Sequence, residues 1–479
     1  MLKNHDLHEV ALNMTSWKEA FVFGVNELDQ LLGRVLRPRS TIVVAGHPGA
    51  GKTTLAMTVC YHNALNGKPC LYITFQEEKN KLFNVMKDLG MDLETVERKG
   101  LLRFVKLPIT LSAKEVSEYV MRLVQEFAPR ILVIDSINAA LESLKLSGEV
   151  RGWLQNFYYA LADIVNGVIV LIAELPFGEE KLELGAIEFV ADAILILKHK
   201  IENRLIVRTL EIRKARGAPI SIAELPFSIT EKTGLEVHVP PLTEEIGPEG
   251  RELPAPCNEI EKALNHLHLG MNIYVTYPPD ARIPTYIGLL TGILLLNKLK
   301  TLVVSYIYPP DTVRSMTIGI LKRIGIEYSI AENLVDKYLI FKSFNPFSMS
   351  IDTLAIREIA PLEEYPDINA VVFHGVEIIG SSIPINRYLP ALYNQIYYLK
   401  SQNKLVIRMG SYVDQKLYSI NSSLADLVIK IEPLDTRSGV MREKLYIWRR
   451  GRQPILLGYD DLLRCLDEIK VKLKKMVER

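Results

Sequence analysis

Thr41–Leu55 reads TIVVAGHPGAGKTTL. The apolar run Ile42–Ala45 predicts a buried strand. Gly46, Gly51, Lys52 and Thr53 then stand at the G-x-x-x-x-G-K-[ST] spacing of a phosphate-binding loop that opens onto a helix. Each residue type answers a need of a triphosphate. Glycines let the backbone turn tightly and aim several N–H groups at phosphate oxygens. The helix that follows points its positive end at the same anion. Lys52 is placed to bridge the β- and γ-phosphates, and the Thr53 hydroxyl to ligate Mg2+. The candidate ATP-binding loop is therefore Gly46, His47, Pro48, Gly49, Ala50, Gly51, Lys52, Thr53 and Thr54.

Strands and helices alternate downstream. Helix Lys52–Leu65 precedes a strand Cys70–Phe75 that runs into Gln76, Glu77 and Glu78. Carboxylates at the end of a strand in an open α/β sheet sit at its ligand-binding edge, which makes Glu77 the candidate for activating water. The competing reading has these acids heading the helix Lys79–Leu89 for dipole reasons, and it suits Glu78 better. The buried run Ile131–Ile134 ends in Asp135, a Walker B pattern in which the carboxylate holds magnesium through water. A strand Val168–Ala173 ends in Glu174, and strands Ala193–Lys198 and Arg204–Ile212 are spaced as a hairpin. Arg213, Lys214 and Arg216 cluster just before Gly217, where a basic group could answer charge on a transferring phosphoryl group or simply decorate a solvated hairpin end. The alternation predicts an α/β fold with a mainly parallel twisted sheet flanked by helices.

The chain has 479 residues, enough for two to four domains, and a formal net charge of +1. That balance gives no support to nucleic-acid binding. The cysteines Cys60, Cys70, Cys257 and Cys465 are far apart with no C-x-x-C pair. They are read as forming neither a zinc site nor a disulfide framework, so a reducing cytoplasm is the expected location. No signal-peptide layout opens the chain, and the apolar run Ile287–Leu296 is too short to span a bilayer, so no membrane association is expected.

Five motifs in order resemble the KaiC-type ATPases of the RecA-like P-loop superfamily. Gly24–Ser40 is similar to their lead-in, through Gly24, Leu28, Asp29, Leu31, Leu32, Gly33, Leu36 and Ser40. FQEE, ILVIDSI, RTLEIRKARG and the pair PFSIT…TGLEV resemble the catalytic-carboxylate, Walker B, basic and domain-ending stretches. The resemblance covers about residues 20–240. It implies MgATP chemistry with Asp135 and Thr53 on the metal, Glu77 as base, and Lys214 and Arg216 reaching a neighbouring subunit's site in a ring, hexameric by resemblance. Two departures stand out. Gln76 replaces the first of the paired glutamates, which points to slow hydrolysis, and the glycines of the lead-in loop are missing around Arg34, Val35 and Arg39.

The proline-rich, acidic stretch 240–256 reads as a linker after a domain spanning 21–239 and an N-terminal arm spanning 1–20. Residues 257–479 then repeat the first domain: Ile273–Gly288, TLVVSYI, NAVVFHGV, SLADLVIKIE and YIWRRGRQPI mirror their first-half counterparts in order and at a nearly constant offset. The copy has lost its chemistry. Ile283 and Pro284 stand at the lysine and hydroxyl positions, His374 at the Walker B aspartate, and Ile307 and Tyr308 at the carboxylate pair. Leu466–Arg479 reads as an amphipathic C-terminal helix available to a partner.

Two tandem RecA-like domains, the second degenerate, are thus expected. The first would bind MgATP and hydrolyse it in a homo-oligomer with a regulatory or scaffolding role and a regulatory protein partner. The alternatives are an ATP-dependent switch with little turnover and a RecA/RadA-type DNA-acting ATPase. A looser resemblance, confined to the P-loop domain, is to archaeal gas-vesicle-type regulatory proteins. A clock role is disfavoured, because autophosphorylation in the family belongs to the second domain.

Overall fold

A computed structural model describes residues 20–109, 111, 113–138, 150–175, 187–202, 204–220, 222–239, 250–264, 267–279, 285–434, 442–449 and 453–477. The N-terminal arm, Ile283 and Pro284, most of the loop after Glu174, and Arg450 and Arg452 lie outside the described residues. The chain forms two compact units, Met1–Val239 and Pro240–Arg479.

In the first unit the strands are β1 Ser40–Gly46, β2 Cys70–Thr74, β3 Leu102–Lys106, β4 Ile131–Asp135, β5 Val168–Glu174, β6 Ala193–Glu202, β7 Leu205–Ala215, β8 Glu224–Thr230 and β9 Gly234–Val237. They order β3-β2-β4-β5-β1-β6-β7-β8-β9. Pairing is parallel from β3 to β6 and antiparallel from β6 to β9. Ile42 and Val44 point into one hydrophobic layer with Leu55 and Val59 of helix Lys52–Leu65. Val43 and Ala45 point into the opposite layer with Val120 of helix Ala113–Phe127 and Leu161 of helix Val150–Val165. A strand apolar at every position needs cover on both faces, which is why helices lie on both.

Asp29 organises the lead-in, accepting from the backbone N–H of Phe23 at 2.5 Å and Gly24 at 3.1 Å. Leu28 and Leu32 anchor helix Asn26–Leu32 in the core. Arg39, where the resembled pattern has glycine, adopts the left-handed φ of 69° and pairs with Asp163 at 3.4 Å. The missing glycine is therefore not matched by a relaxed backbone.

In the second unit a short pair, β10 Glu252–Leu253 and β11 Leu267–His268, precedes a sheet of β12 Asn272–Tyr277, β13 Thr301–Ser305, β14 Leu339–Ser343, β15 Ala370–His374, β16 Leu405–Ser411, β17 Leu427–Leu434, β18 Arg442–Arg449 and β19 Ile455–Leu457. Its order, β14-β13-β15-β16-β12-β17-β18-β19, repeats that of the first sheet from β3 to β8, with no counterpart of β9 among the described residues. Local detail repeats too. Asp192 accepts from the N–H of Thr41 at 3.0 Å, and Asp426 from the N–H of Asn272 at 2.8 Å, each tying the start of the neighbouring strand, β6 or β17, to the base of the central one.

Three expectations change. The cysteines are paired: Cys60 bonds Cys70 with Cα atoms 5.6 Å apart, and Cys257 bonds Cys465 with Cα atoms 5.2 Å apart. Cys60 and Cys70 are ten residues apart and meet because helix Lys52–Leu65 packs beside β2, while Cys257 and Cys465, 208 residues apart, meet where helix Tyr459–Val477 lies beside helix Asn258–Leu264. The cysteines therefore no longer argue for a reducing compartment. What stands is that among the described residues no helix is long and apolar enough to cross a membrane. The C-terminal helix begins at Tyr459, and Leu462, Leu466, Ile469 and Leu473 bury its apolar face in the second unit's own core against helix Thr285–Leu296, so that face is not open to a partner. The stretch read as linker is shorter than expected, because Leu253 is buried in the second core.

A polar cluster lies under the second sheet. Glu358 accepts from Tyr306 and Gln395, with Arg408 nearby donating to the Tyr388 hydroxyl at 3.1 Å. Burial outweighs these contacts and pushes the Glu358 carboxyl from 4.5 up to about 7. A carboxyl whose folded pKa is raised binds its proton more tightly in the native state. Its stabilising contribution is complete below pH 4.5 and is lost as pH rises through about 7. The amplitude is roughly 3 kcal/mol at about 1.4 kcal/mol per unit. Calorimetry of the second unit's transition should show this decline, and Glu358→Gln should flatten it.

Candidate nucleotide site

The parallel strands of the first sheet deliver their carboxyl ends to one edge: Gly46 from β1, Thr74 from β2, Asp135 from β4 and Glu174 from β5. Beside the central strand of such a sheet is the ordinary ligand crevice. The loop between Gly46 and helix Lys52–Leu65 is shaped by its glycines. A Cβ at Gly46 would lie 2.2 Å from the Leu197 carbonyl oxygen, and Gly51 holds a left-handed φ of 101° immediately before the helix.

Lys52 turns back into this loop and donates to the His47 carbonyl at 3.0 Å. Burial lowers its ammonium pKa, while Glu174 and Asp135 pull it upward. Thr53 Oγ1 donates to Asp135 Oδ2 at 3.0 Å, and the Tyr72 hydroxyl donates to the same oxygen at 2.5 Å. Burial raises the Asp135 pKa, opposed by the hydrogen bonds from Tyr72 and Thr53. Thr53 and Asp135 thus present two hard oxygen donors at one point. Among the described residues no group of three or more His, Cys, Asp and Glu side chains could hold a metal by itself. This donor set fits Mg2+, which keeps waters and takes its remaining ligands from substrate phosphates.

After β2, Thr74 Oγ1 accepts from the N–H groups of Gln76 at 3.3 Å and Glu77 at 3.1 Å, a turn that splits the pair. Gln76 is exposed, whereas Glu77 is half-buried and close enough to Asp135 and Tyr72 to perturb both. Glu78 pairs with Lys106 on the surface, away from the site. The second unit keeps the turn and loses the acid: Ser305 Oγ accepts from Ile307 N at 3.3 Å and Tyr308 N at 3.1 Å.

Lys214 and Arg216 are not brought to this edge. Ala215 lies opposite Ala193, and Ala193 opposite Ile42, so both basic residues sit at the amino end of β1. Gly46 is four residues further along β1, about 13 Å away at about 3.3 Å per residue. Lys214 Nζ donates to the Glu188 carbonyl at 2.6 Å, and Arg216 lies 3.6 Å from Asp192. In the second unit Arg449 donates to the Leu264 carbonyl at 2.7 Å, which ties it to a helix end.

Two residues escaped sequence reading. Asn138 clamps the end of β5, donating to the Glu174 carbonyl at 3.1 Å and accepting from its N–H at 2.7 Å. Tyr72 looked like one more apolar strand residue, and only its position two residues before Thr74 signals a neighbour of Asp135. A Tyr72→Phe variant keeps the ring and removes the donor that stabilises the Asp135 anion. Asp135 should then titrate higher, so the acid limb of Mg2+-dependent activity should move to higher pH, as a pH–rate profile would show.

Residues 22–241 match the family model described as "ATPase: KaiC". The circadian clock oscillator protein KaiC of Picosynechococcus sp. is 26% identical over 216 residues, 43% of this chain and 42% of the relative. The circadian clock protein KaiC3 of Synechocystis sp. is 27% identical over 209 residues, 42% of this chain and 41% of the relative. KaiC of Synechococcus elongatus is 27% identical over 203 residues, 40% of this chain and 39% of the relative. The matches thus span about two-fifths of the length of these relatives.

Proposed function

We propose that this chain, whose residues 22–241 match the family model described as "ATPase: KaiC", binds MgATP on Gly46–Thr53 and hydrolyses it slowly within an oligomeric ring. The observation that carries the reading is the meeting of Thr53 and Asp135 at 3.0 Å beside the buried Lys52. Mg2+ bound there supplies positive charge to the β- and γ-phosphates. Lys52 adds a second cation from within the loop. Glu77 orients the attacking water and accepts its proton. Its half-buried position on the Asp135 side of the turn supports that role over Gln76.

Lys214 and Arg216 face away from their own loop, which supports a role in a neighbouring subunit's site. Turnover per chain should then rise with protein concentration as the assembly forms. Mass measurement with and without MgATP, paired with a hydrolysis rate, tests this, and equal turnover in dilute monomer and assembled protein would sink it. A second reading is an ATP-dependent switch with very little turnover, and the exposed Gln76 favours it. Tight MgATP binding with turnover far below about 1 s⁻¹ would select that reading.

A further inference from the structure

The second unit holds a cavity of about 520 Å3 on one face of its sheet. Leu290 of helix Thr285–Leu296, Ile320 of helix Pro310–Arg323 and the strand residues Val303, Val372 and Ile407 form its apolar walls. In the first unit a large side chain holds the register position of one wall residue. Tyr72 stands between Phe104 on β3 and Val133 on β4, stacked on Phe104 with ring centroids 5.6 Å apart. Val303 occupies the same register position, between Phe341 on β14 and Val372 on β15. Where the nucleotide domain carries a phenol, its copy carries an isopropyl group and a void.

The cavity reaches the carboxyl edge of the sheet. There His374 replaces Asp135, and Tyr308 replaces Glu77 with its ring 6.0 Å from that of His374. His374 Nδ1 lies 3.3 Å from Ser305 Oγ. Charges that handle MgATP have thus given way to an imidazole and a phenol above an apolar chamber, at the edge where sheets of this kind take ligands. The cavity is partly open to solvent, which gives a small molecule a way in. The volume falls within the range of sites for small organic molecules, which combine apolar walls with a few polar groups.

We propose that the second unit binds a largely apolar small molecule, with a hydrogen-bonding group set at His374 and Tyr308. This does not rest on the ATPase reading. The test is isothermal titration of the full chain with 1-naphthol, with saturating MgATP present to occupy the P-loop. Saturable binding at one site per chain is expected. Val303→Tyr, which restores the first unit's residue, should weaken it about tenfold or more. Gly319→Leu provides a second filling variant, since a Cβ at Gly319 meets nothing within 4 Å and the residue lines the same cavity. No saturable binding to the parent chain, or unchanged affinity in both filled variants with their helical circular dichroism retained, overturns the proposal.

Discussion

Lys52→Ala should abolish measurable ATP hydrolysis, with turnover falling by at least about 10²- to 10³-fold, the loss typical of one preorganised electrostatic donor. The local charges explain so large an effect. Asp135, Glu174 and Glu77 all place negative charge near the loop, and Lys52 is the buried cation among them. Removing it leaves the γ-phosphate facing carboxylates, so MgATP binding should weaken as well. Lys52→Arg should not restore turnover, because the site is buried and the larger planar guanidinium does not fit where an ammonium reaches the His47 carbonyl at 3.0 Å. Retained turnover in Lys52→Ala would place the chemistry elsewhere.

Arg216→Ala should leave MgATP binding unchanged and lower turnover by about 10³-fold or more, the scale of an arginine supplied to a phosphoryl-transfer site. Binding is spared because Arg216 sits at the amino end of β1, across the sheet from its own loop. Stability should change little, since its contact with Asp192 at 3.6 Å is long and partly exposed. A trans arrangement has a further signature. Mixing Lys52→Ala and Arg216→Ala chains should recover activity, because the first contributes an intact Arg216 to the intact loop of the second. Two inactive variants that stay inactive when co-assembled would argue against it.

Much of the fold was legible because its signals are local. Buried runs such as Ile131–Asp135 fix strands by themselves, and the phosphate-loop spacing fixes the turn and helix at Gly46–Thr53. The order of motifs then revealed the duplication that the two sheets share. What escaped depends on contacts between residues distant in sequence. The pairing of Cys257 with Cys465 spans 208 residues, and the hydroxyl of Tyr72 meets Asp135 only once β2 lies beside β4. The C-terminal helix was recognised as amphipathic, but periodicity does not say what covers an apolar face, and the second unit's own core does. Arg39 shows the opposite limit: its side chain gives no warning of a left-handed backbone.

A duplicated chain with one working nucleotide site is most directly tested by counting bound nucleotide. Equilibrium dialysis of the full chain against labelled ATP in Mg2+ should give one nucleotide per chain, lost in Lys52→Ala. Two nucleotides per chain, or binding that survives Lys52→Ala undiminished, would contradict it.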